Sequence, residues 1–313
     1  MKRFFIRRFL AILPTLIGVS ILVFLIIRLV PGDPALVISG PDATAEDIAR
    51  IREQMGLDSP IHVQYLIFVQ NCLRGDFGRS IRTHRPVIEE IKEAYPKSIE
   101  LVAGGMIIAV LLGVTTGILS ASKQYSIFDR LSMLVCMLGI SIPSFWFGLM
   151  LIILFAGWLG WFPVSGRGGP FYTLQGLKYL FMPALTMGFG AAVYLARLTR
   201  SSMLETIRLD FVRTARTKGL SEGKVVYKHA LSNALIPVVT MVGMLSGYLI
   251  GGAVIIETVF SWPGMGRLII GAIWSRDYPL VQAAILVISI TFIFINLFVD
   301  FIYSVIDPRV RID

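Results

Sequence analysis

Charged residues are scarce in this chain of 313 residues: they make up 16% of the sequence, whereas apolar residues make up 55%. A soluble domain usually carries about 25% charged residues. The shortage of charge excludes a soluble enzyme and a disordered tail, and the apolar excess has to face lipid. The composition therefore predicts a polytopic membrane protein of the all-α class.

Cysteine and histidine are also rare, with two and three residues in the whole chain. This count excludes a disulfide scaffold, and the sequence has no C-x-x-C pair or Cys/His cluster that would indicate a metal site. The patterns G-x-x-x-x-G-K-[ST] and H-E-x-x-H are absent as well. We therefore predict no catalytic residue, no metal and no cofactor in this chain.

Six apolar runs are long enough to cross a membrane. The first, residues 9–30, is too long for the apolar core of a cleaved signal peptide, so we expect an uncleaved helix. The third run is interrupted by Pro143. The sequence predicts six transmembrane helices, with an N-terminal helix in residues 1–30, an insertion in residues 31–97 and a transmembrane domain in residues 95–304. The five later spans are residues 101–122, 131–166, 179–196, 229–256 and 278–299.

The basic residues predict the orientation of the chain. The first eight residues hold four basic residues and no acid, and residues 197–234 hold eight basic against three acidic residues. Residues 31–97 are nearly balanced, with ten acids and eight basic residues. The positive-inside rule places both termini and the 197–234 loop in the cytoplasm, and residues 31–97 outside. The net charge of +9 thus indicates contact with membrane lipid, and no nucleic-acid partner is predicted because the basic residues do not gather on one face.

Within the outer insertion, residues 44–55 have the pattern of a helix that begins at an N-cap, Thr44. Ile61–Leu73 is a second helical stretch that is too short to span, so we expect it to pack on the outer face. Gly75-Asp76-Phe77-Gly78 is typical of a turn.

Small residues in the spans predict close helix packing. Gly113 and Gly117 form a pair that indicates packing within the bundle. Gly243, Gly247 and Gly251 recur on one face of the fifth span, and three glycines in register favour a face shared with a partner subunit.

Ionisable residues are missing from the middle of the apolar runs. Arg28, Glu257 and Asp300 lie within about a turn of span ends, where side chains that reach the interface explain them. An ion-driven secondary transporter remains an alternative, although it predicts midplane charges and internal repeats, and no clear repeat is present. A membrane-embedded hydrolase lacks the nucleophile–base pair that it needs.

The loop between the fourth and fifth spans has the pattern of two helical pieces around Gly219. Residues 203–218 form the first predicted helix and residues 222–230 the second, and Pro237 opens the next span. Such a helix–Gly–helix unit forms a compact protrusion that is anchored at both ends by transmembrane helices. A basic amphipathic hairpin lying on anionic lipid is the alternative.

This loop resembles the "EAA" loop that marks the membrane subunits of bacterial ATP-binding-cassette importers. Arg213-Thr214-Ala215 is followed after three residues by Gly219 and, nine residues later, by His229-Ala230-Leu231. Arg213 and Thr214 replace the usual Glu and Ala, and Ser232 replaces the closing Pro. These departures resemble the dipeptide/oligopeptide permease branch.

Further motifs extend the resemblance over essentially the whole chain, and the long segment after the first span is similar to the first of the two paired permeases. Those motifs are Val30-Pro31-Gly32-Asp33-Pro34, Gly75-Asp76-Phe77-Gly78-Arg79-Ser80, Arg85-Pro86-Val87, Ile142-Pro143-Ser144-Phe145, Glu257-Thr258-Val259-Phe260-Ser261-Trp262-Pro263-Gly264-Met265-Gly266-Arg267, Arg276-Asp277-Tyr278-Pro279 and Asp307-Pro308-Arg309.

The resemblance implies the type I transmembrane domain of an ATP-binding-cassette importer, a non-enzymatic permease in a bacterial or archaeal plasma membrane. It implies a second homologous permease, two cytoplasmic ATPases that bind ATP and Mg, and an extracytoplasmic substrate-binding protein. Short peptides are the expected substrates, with glutathione, nickel chelates and oligosaccharides handled by relatives.

The resemblance also implies site residues. Ala215 and Gly219 are expected to let the loop seat closely in an ATPase groove, while basic side chains pair with acidic groups on its rim. An outer gate or binding-protein contact is implied after the fifth span, with a tight turn that caps the bundle as the alternative. The docking residues are Arg213, Thr214, Ala215, Arg216, Lys218, Gly219 and Leu231, and the outer residues are Trp262, Pro263, Gly264 and Arg267.

Overall fold

The structure, a computed structural model, describes residues 2–29, 34–39, 43–54 and 56–306. Helices account for the regular structure in these ranges, apart from one isolated bridge between Arg79 and Pro86. The all-α prediction is confirmed. Of the sequence motifs above, residues 30–33 and Asp307-Pro308-Arg309 lie outside the described residues, as do the side chains of Arg28 and Asp300.

Four helices among the described residues are long and apolar enough to cross a membrane, and a bent helix pair would make a fifth. The first helix is 28 residues long, about 42 Å at 1.5 Å per residue, which exceeds a hydrocarbon core of about 30 Å. Its apolar part, Ile12–Ile26, is shorter than the other four or five candidates, so the sixth predicted span stays a prediction.

The chain divides into two compact units. One comprises Met1–Lys97 with Pro263–Phe294, and the other comprises Ser98–Trp262 with Ile295–Asp313. Helices α5 and α13 each continue across the boundary in sequence. The helices are α1 Lys2–Leu29, α2 Pro34–Ser39, α3 Ala45–Gln54, α4 Ile61–Leu73, α5 Val87–Ser122, α6 Ile127–Ser141, α7 Ser144–Leu151 with a π-helical continuation Ile152–Trp158, α8 Leu174–Ile207, α9 Asp210–Thr217, α10 Glu222–Lys224 with a π-helical continuation Val225–Ala230, α11 Leu231–Val259, α12 Met265–Trp274 and α13 Tyr278–Ile306.

The first unit contains the short helices predicted in the insertion. At the start of α3 the Asp47 amide donates to the Thr44 hydroxyl, and the Thr44 amide donates in return to the Asp47 carboxylate. This reciprocal cap confirms Thr44 as the N-cap. Helix α4 has the predicted bounds, and Gly75 and Gly78 take positive φ angles in the predicted turn.

Two sequence motifs of the first unit meet at a buried carboxylate. Asp277, before α13, accepts hydrogen bonds from the Ser80 hydroxyl and the Arg82 amide. It also accepts from the Leu280 amide at the start of α13. The apolar core beside it joins the first turns of α5 to α12 and α13, through Val87, Ile91, Met265, Ile269 and Leu280 among others. Helix α12 was not expected from the sequence.

In the second unit, helices α5 and α8 pack closely through glycine. A Cβ on Gly113 would lie 2.6 Å from the Ala192 carbonyl oxygen, and one on Gly117 would lie 2.5 Å from Thr199 Cβ. Only a residue without a side chain fits at these approaches. The prediction that Gly113 and Gly117 serve packing within the bundle is confirmed.

The remaining spans differ from the prediction in extent. The third is broken at Ile142-Pro143, where α6 and the following helix meet at 109°. The fourth runs over Leu174–Ile207, well beyond residues 179–196. The fifth begins already at Glu222, so Pro237 lies inside the helix and does not open it.

Glu257 is fully buried, and its Oε1 accepts a hydrogen bond of 2.5 Å from the Ser98 hydroxyl. The prediction that its side chain reaches toward the membrane surface is therefore wrong. The carboxylate is held inside the unit, where the Ser98 hydroxyl is one of its partners.

Candidate coupling surface

A break after α8 begins the loop that the sequence singles out. The amides of Arg208 and Leu209 bond to carbonyls three residues earlier, which tightens the last turn of α8. Leu209 is then extended, and Asp210 begins α9 with a negative charge at the helix N-terminus. The prediction of one helix over residues 203–218 is wrong, because the chain turns at 208–209.

Helix α9 has one buried and one exposed face. Val212 and Ala215 are buried in an apolar cluster with residues from α5, α8, the π-helical continuation of α10, and α11. The other members of the cluster are Ala121, Met203, Val225, Val226, Ala230 and Ala234, with Leu204, Ile207 and Leu231 at its margin. Ala215 therefore seats α9 on its own chain, and Leu231 belongs to the same internal packing.

Gly219 closes the loop through its backbone conformation. Its φ is +76°, and its amide donates to the Arg216 carbonyl at 2.9 Å, while a Cβ there would meet no atom within 4 Å. The residue is glycine because the left-handed turn disfavours a side chain, which is typical of a helix C-terminus. The structure thus gives a conformational reason for Gly219 where we expected a close approach.

An ion pair clamps the two sides of this turn together. Arg216 Nη2 lies 2.7 Å from Glu222 Oε1, and its Nε lies 3.1 Å from Oε2. The hydrogen bond and charge of Glu222 raise the pKa of the Arg216 guanidinium above its usual range. Arg216 is thus engaged inside the loop, whereas Arg213 makes only a loose 3.8 Å contact with the exposed Asp210.

The exposed side of the loop combines apolar and basic residues, which we call the coupling surface. Phe211, the second residue of α9, is a large apolar side chain that is 43% exposed. Apolar side chains inside a charged rim are typical of protein contacts. The exposed apolar members are Leu209, Phe211, Leu220 and Tyr227, and the exposed basic members are Arg208, Arg213, Lys218, Lys224 and Lys228, with Thr214 between them.

A buried ion pair fixes α8 before it enters the loop. Arg200 donates to both carboxylate oxygens of Asp129, at 2.6 and 2.8 Å, and the Asp129 side chain is only 4% exposed. The Tyr125 amide donates to the same carboxylate at 3.0 Å. Sequence reasoning treated Arg200 as one of several loop cations and missed the pair, because the partners are 71 residues apart.

The predicted outer residues do not form one exposed site. Trp262 is fully buried in the second unit, with the Arg167 guanidinium carbon 5.9 Å from the centre of its ring. Arg167 is also paired with Glu100 at 2.7 Å. In the first unit, Gly264 is buried and Pro263 half-buried, while Arg267 is exposed. The burial of Trp262 agrees with the alternative of a turn that caps the bundle.

The glycines of the fifth span have different surroundings. A Cβ on Gly243 would lie 2.1 Å from Val299, so this glycine serves packing within the chain. Gly247 is buried, and Gly251 is exposed with nothing within 4 Å. Of these three glycines, Gly251 is the exposed one, so the face shared with a partner subunit stays a prediction that rests on Gly251.

Among the described residues, no group of three or more His, Cys, Asp and Glu residues is arranged to hold a metal ion.

Family models match nearly the whole chain. The family described as binding-protein-dependent transport system inner membrane component matches residues 113–312, and the N-terminal model of the same kind of component matches residues 1–102.

Curated relatives match from end to end. The dipeptide transport system permease protein of Alkalihalophilus pseudofirmus is 45% identical, covering 99% of this chain and all of that protein. The glutathione transport system permease proteins of Salmonella typhimurium and Escherichia coli K12 are 44% and 43% identical, covering 99% of both chains in each case.

Two solved structures share the fold. The methionine ATP-binding-cassette transporter MetNI in an inward-facing conformation matches with a TM-score of 0.57 and 16% identity, over 70% of this chain and 96% of that one. An amino acid ATP-binding-cassette transporter with histidines matches with a TM-score of 0.52 and 13% identity, over 71% and 94%.

Proposed function

We propose, since this chain belongs to the family of binding-protein-dependent transport system inner membrane components, that it is the permease subunit of an importer for short peptides. The names of full-length relatives at 43–45% identity support this substrate class. Glutathione, itself a short peptide, is the second candidate, because relatives at nearly the same identity are named for it.

The proposed assembly contains a second, homologous permease, two cytoplasmic ATPases and an extracytoplasmic binding protein that delivers the substrate. ATP and Mg are bound by the ATPases, and this chain supplies the path through the plasma membrane. Both termini and the coupling surface face the cytoplasm, in accord with the basic residues of the loop and of the N-terminus.

The position of the coupling surface carries the proposal. Helix α9 presents Phe211 and basic side chains outward, and its Val212 and Ala215 are packed into a cluster shared with α5, α8 and α11. A displacement of α9 therefore displaces three spans, because packed interiors transmit strain. Movement of the ATPases would in this way tilt the spans between inward-open and outward-open states as rigid bodies.

Reconstitution into proteoliposomes tests the proposal. The complete importer should accumulate a radiolabelled dipeptide when ATP, Mg and the binding protein are supplied, and this chain alone should accumulate none. Competition by unlabelled glutathione separates the two substrate candidates. ATP-independent dipeptide flux through the chain alone would overturn the assignment in favour of a secondary transporter or channel.

A further inference from the structure

Helix α4, which the transport function above does not use, has an unusual composition for a segment outside the spans. Its 13 residues, Ile61–Leu73, contain no Asp, Glu, Lys or Arg, and none of them is buried. Charged residues flank it on both sides, at Asp58 and Arg74. The middle of the helix, residues 65–69, reads Tyr-Leu-Ile-Phe-Val.

One face of α4 packs on the first transmembrane helix. The Tyr65 hydroxyl lies 2.7 Å from the Ser20 hydroxyl. The Phe24 ring lies 5.3 Å from the ring of Tyr65 and 5.7 Å from that of Phe68, in edge and tilted geometries that favour aromatic contact.

These contacts place α4 at membrane depth. Ser20 lies nine residues before the end of α1 at Leu29, which is about 14 Å along the helix axis. Half of a hydrocarbon core is about 15 Å thick. Val23 provides a second indication of depth. Its carbonyl accepts a 2.6 Å hydrogen bond from the Gln282 side chain, which lies in the second turn of the spanning helix α13.

The opposite face of α4 exposes the apolar side chains of Ile61, Leu66 and Leu73 beside two polar ones, His62 and Gln70, and carries no Asp, Glu, Lys or Arg. Leu66 is 63% exposed, and Ile61 is exposed as well. On α1, Leu22 is 67% exposed, and at 100° per residue it lies on the side of that helix away from Ser20 and Phe24. The amide of Gln64 is satisfied by the Leu57 and Ser59 carbonyls, at 3.1 and 2.9 Å.

We propose that α4 lies within the outer leaflet as an interfacial helix beside α1, and that its Leu66 face binds lipid acyl chains. The apolar middle and the charged flanks fit a helix that enters the leaflet without crossing it. The side of the membrane follows from the orientation proposed above, whereas the contact with acyl chains does not depend on transport.

Spin labelling of the full chain in lipid nanodiscs tests this inference. A nitroxide is attached to a single cysteine at Leu66→Cys or Ile61→Cys, after the native Cys72 and Cys136 are replaced by Ser and Ala. Leu22→Cys on α1 is the lipid-facing reference, and Arg50→Cys on the charged helix α3 is the water-facing control. Collisions with molecular oxygen, which concentrates in acyl chains, are compared with those of a water-soluble nickel chelate.

The labels at residues 61 and 66 should resemble the one at residue 22, with frequent oxygen collisions and few nickel collisions. Frequent nickel collisions at both α4 positions, as at residue 50, would show that α4 lies in water and would overturn the proposal. Infrequent collisions with both reagents would also overturn it, because the face would then be covered by protein.

Discussion

At Gly219 a backbone angle, not a contact, determines the residue type. The φ of +76° lies in the left-handed region, and the space beyond the Cα is open. A β-branched residue is strongly disfavoured there, whereas asparagine adopts this conformation readily.

We expect Gly219→Val to reduce peptide uptake per ATP hydrolysed, because roughly 1–2 kcal/mol of strain would reshape the turn that ends α9. Gly219→Asn should keep most of the coupling and serves as the matched control. Peptide uptake per ATP hydrolysed is measured for both variants in proteoliposomes that contain the complete importer. Equal ratios for the two variants would show that the turn conformation does not matter for coupling.

The Asp129–Arg200 pair leads to a stability prediction. Arg200→Ala leaves a buried carboxylate without its guanidinium partner, which costs about 3–5 kcal/mol. The double variant Asp129→Leu with Arg200→Met should recover much of that loss, because no buried charge remains. Thermal unfolding in detergent measures the stability of the single and the double variant. A double variant less stable than Arg200→Ala would contradict this account of the pair.

The Arg216–Glu222 clamp is exposed on both sides, so its contribution to stability should be below about 1 kcal/mol. Glu222→Arg should weaken the clamp and lower uptake, and the exchanged pair Arg216→Glu with Glu222→Arg should restore uptake in part. High salt should reduce the difference between these variants, since exposed ion pairs are screened. If the exchanged pair is no better than the single variant, the clamp does not position the loop.

At the scale of helices, glycine determines how closely α5 and α8 approach. Gly117→Leu should lower the unfolding temperature and the yield of folded protein, since its Cβ would lie 2.5 Å from Thr199 Cβ and overpacking costs about 1–3 kcal/mol. Gly190→Leu on α8 is the control, because Gly190 is exposed with nothing within 4 Å. A similar loss in both variants would show that a large side chain anywhere in these helices, not the close approach at Gly117, causes the effect.

Sequence predicted the helices that have strong local signals. The bounds of α4 and the cap of α3 follow from apolar spacing and from Thr44, and the break of the third span follows from Pro143. The turn between α8 and α9 contains neither glycine nor proline, so no local signal marked it. Pro237 was misplaced for the opposite reason: proline usually marks a helix start, yet it is tolerated inside membrane helices.

The sequence singled out the loop as the candidate site, which stays a prediction, but it did not show which of the loop's side chains are exposed. The spacing of Arg213, Ala215 and Gly219 located the loop. Which helix face is buried depends on Met203 and Ala230 in the adjoining helices and on Ala121, which is about 90 residues before α9 in sequence. For this reason Ala215 was expected on the docking surface, and exposed Phe211 was not recognised.

At the scale of the whole molecule, the proposed function makes the chain a passive gate that partner ATPases move through α9. The exposed Phe211 is the part of the coupling surface expected to enter the partner, and Val212 behind it connects that contact to the spans.

Uptake by importers with Phe211→Asp measures this claim most directly. Phe171→Asp is the control, because Phe171 is exposed to a similar degree in the segment between the α7 continuation and α8. The account predicts that Phe211→Asp inserts normally but no longer retains the ATPases on purification and takes up little dipeptide, whereas Phe171→Asp retains both properties. Unchanged ATPase retention and uptake with Phe211→Asp would contradict the account.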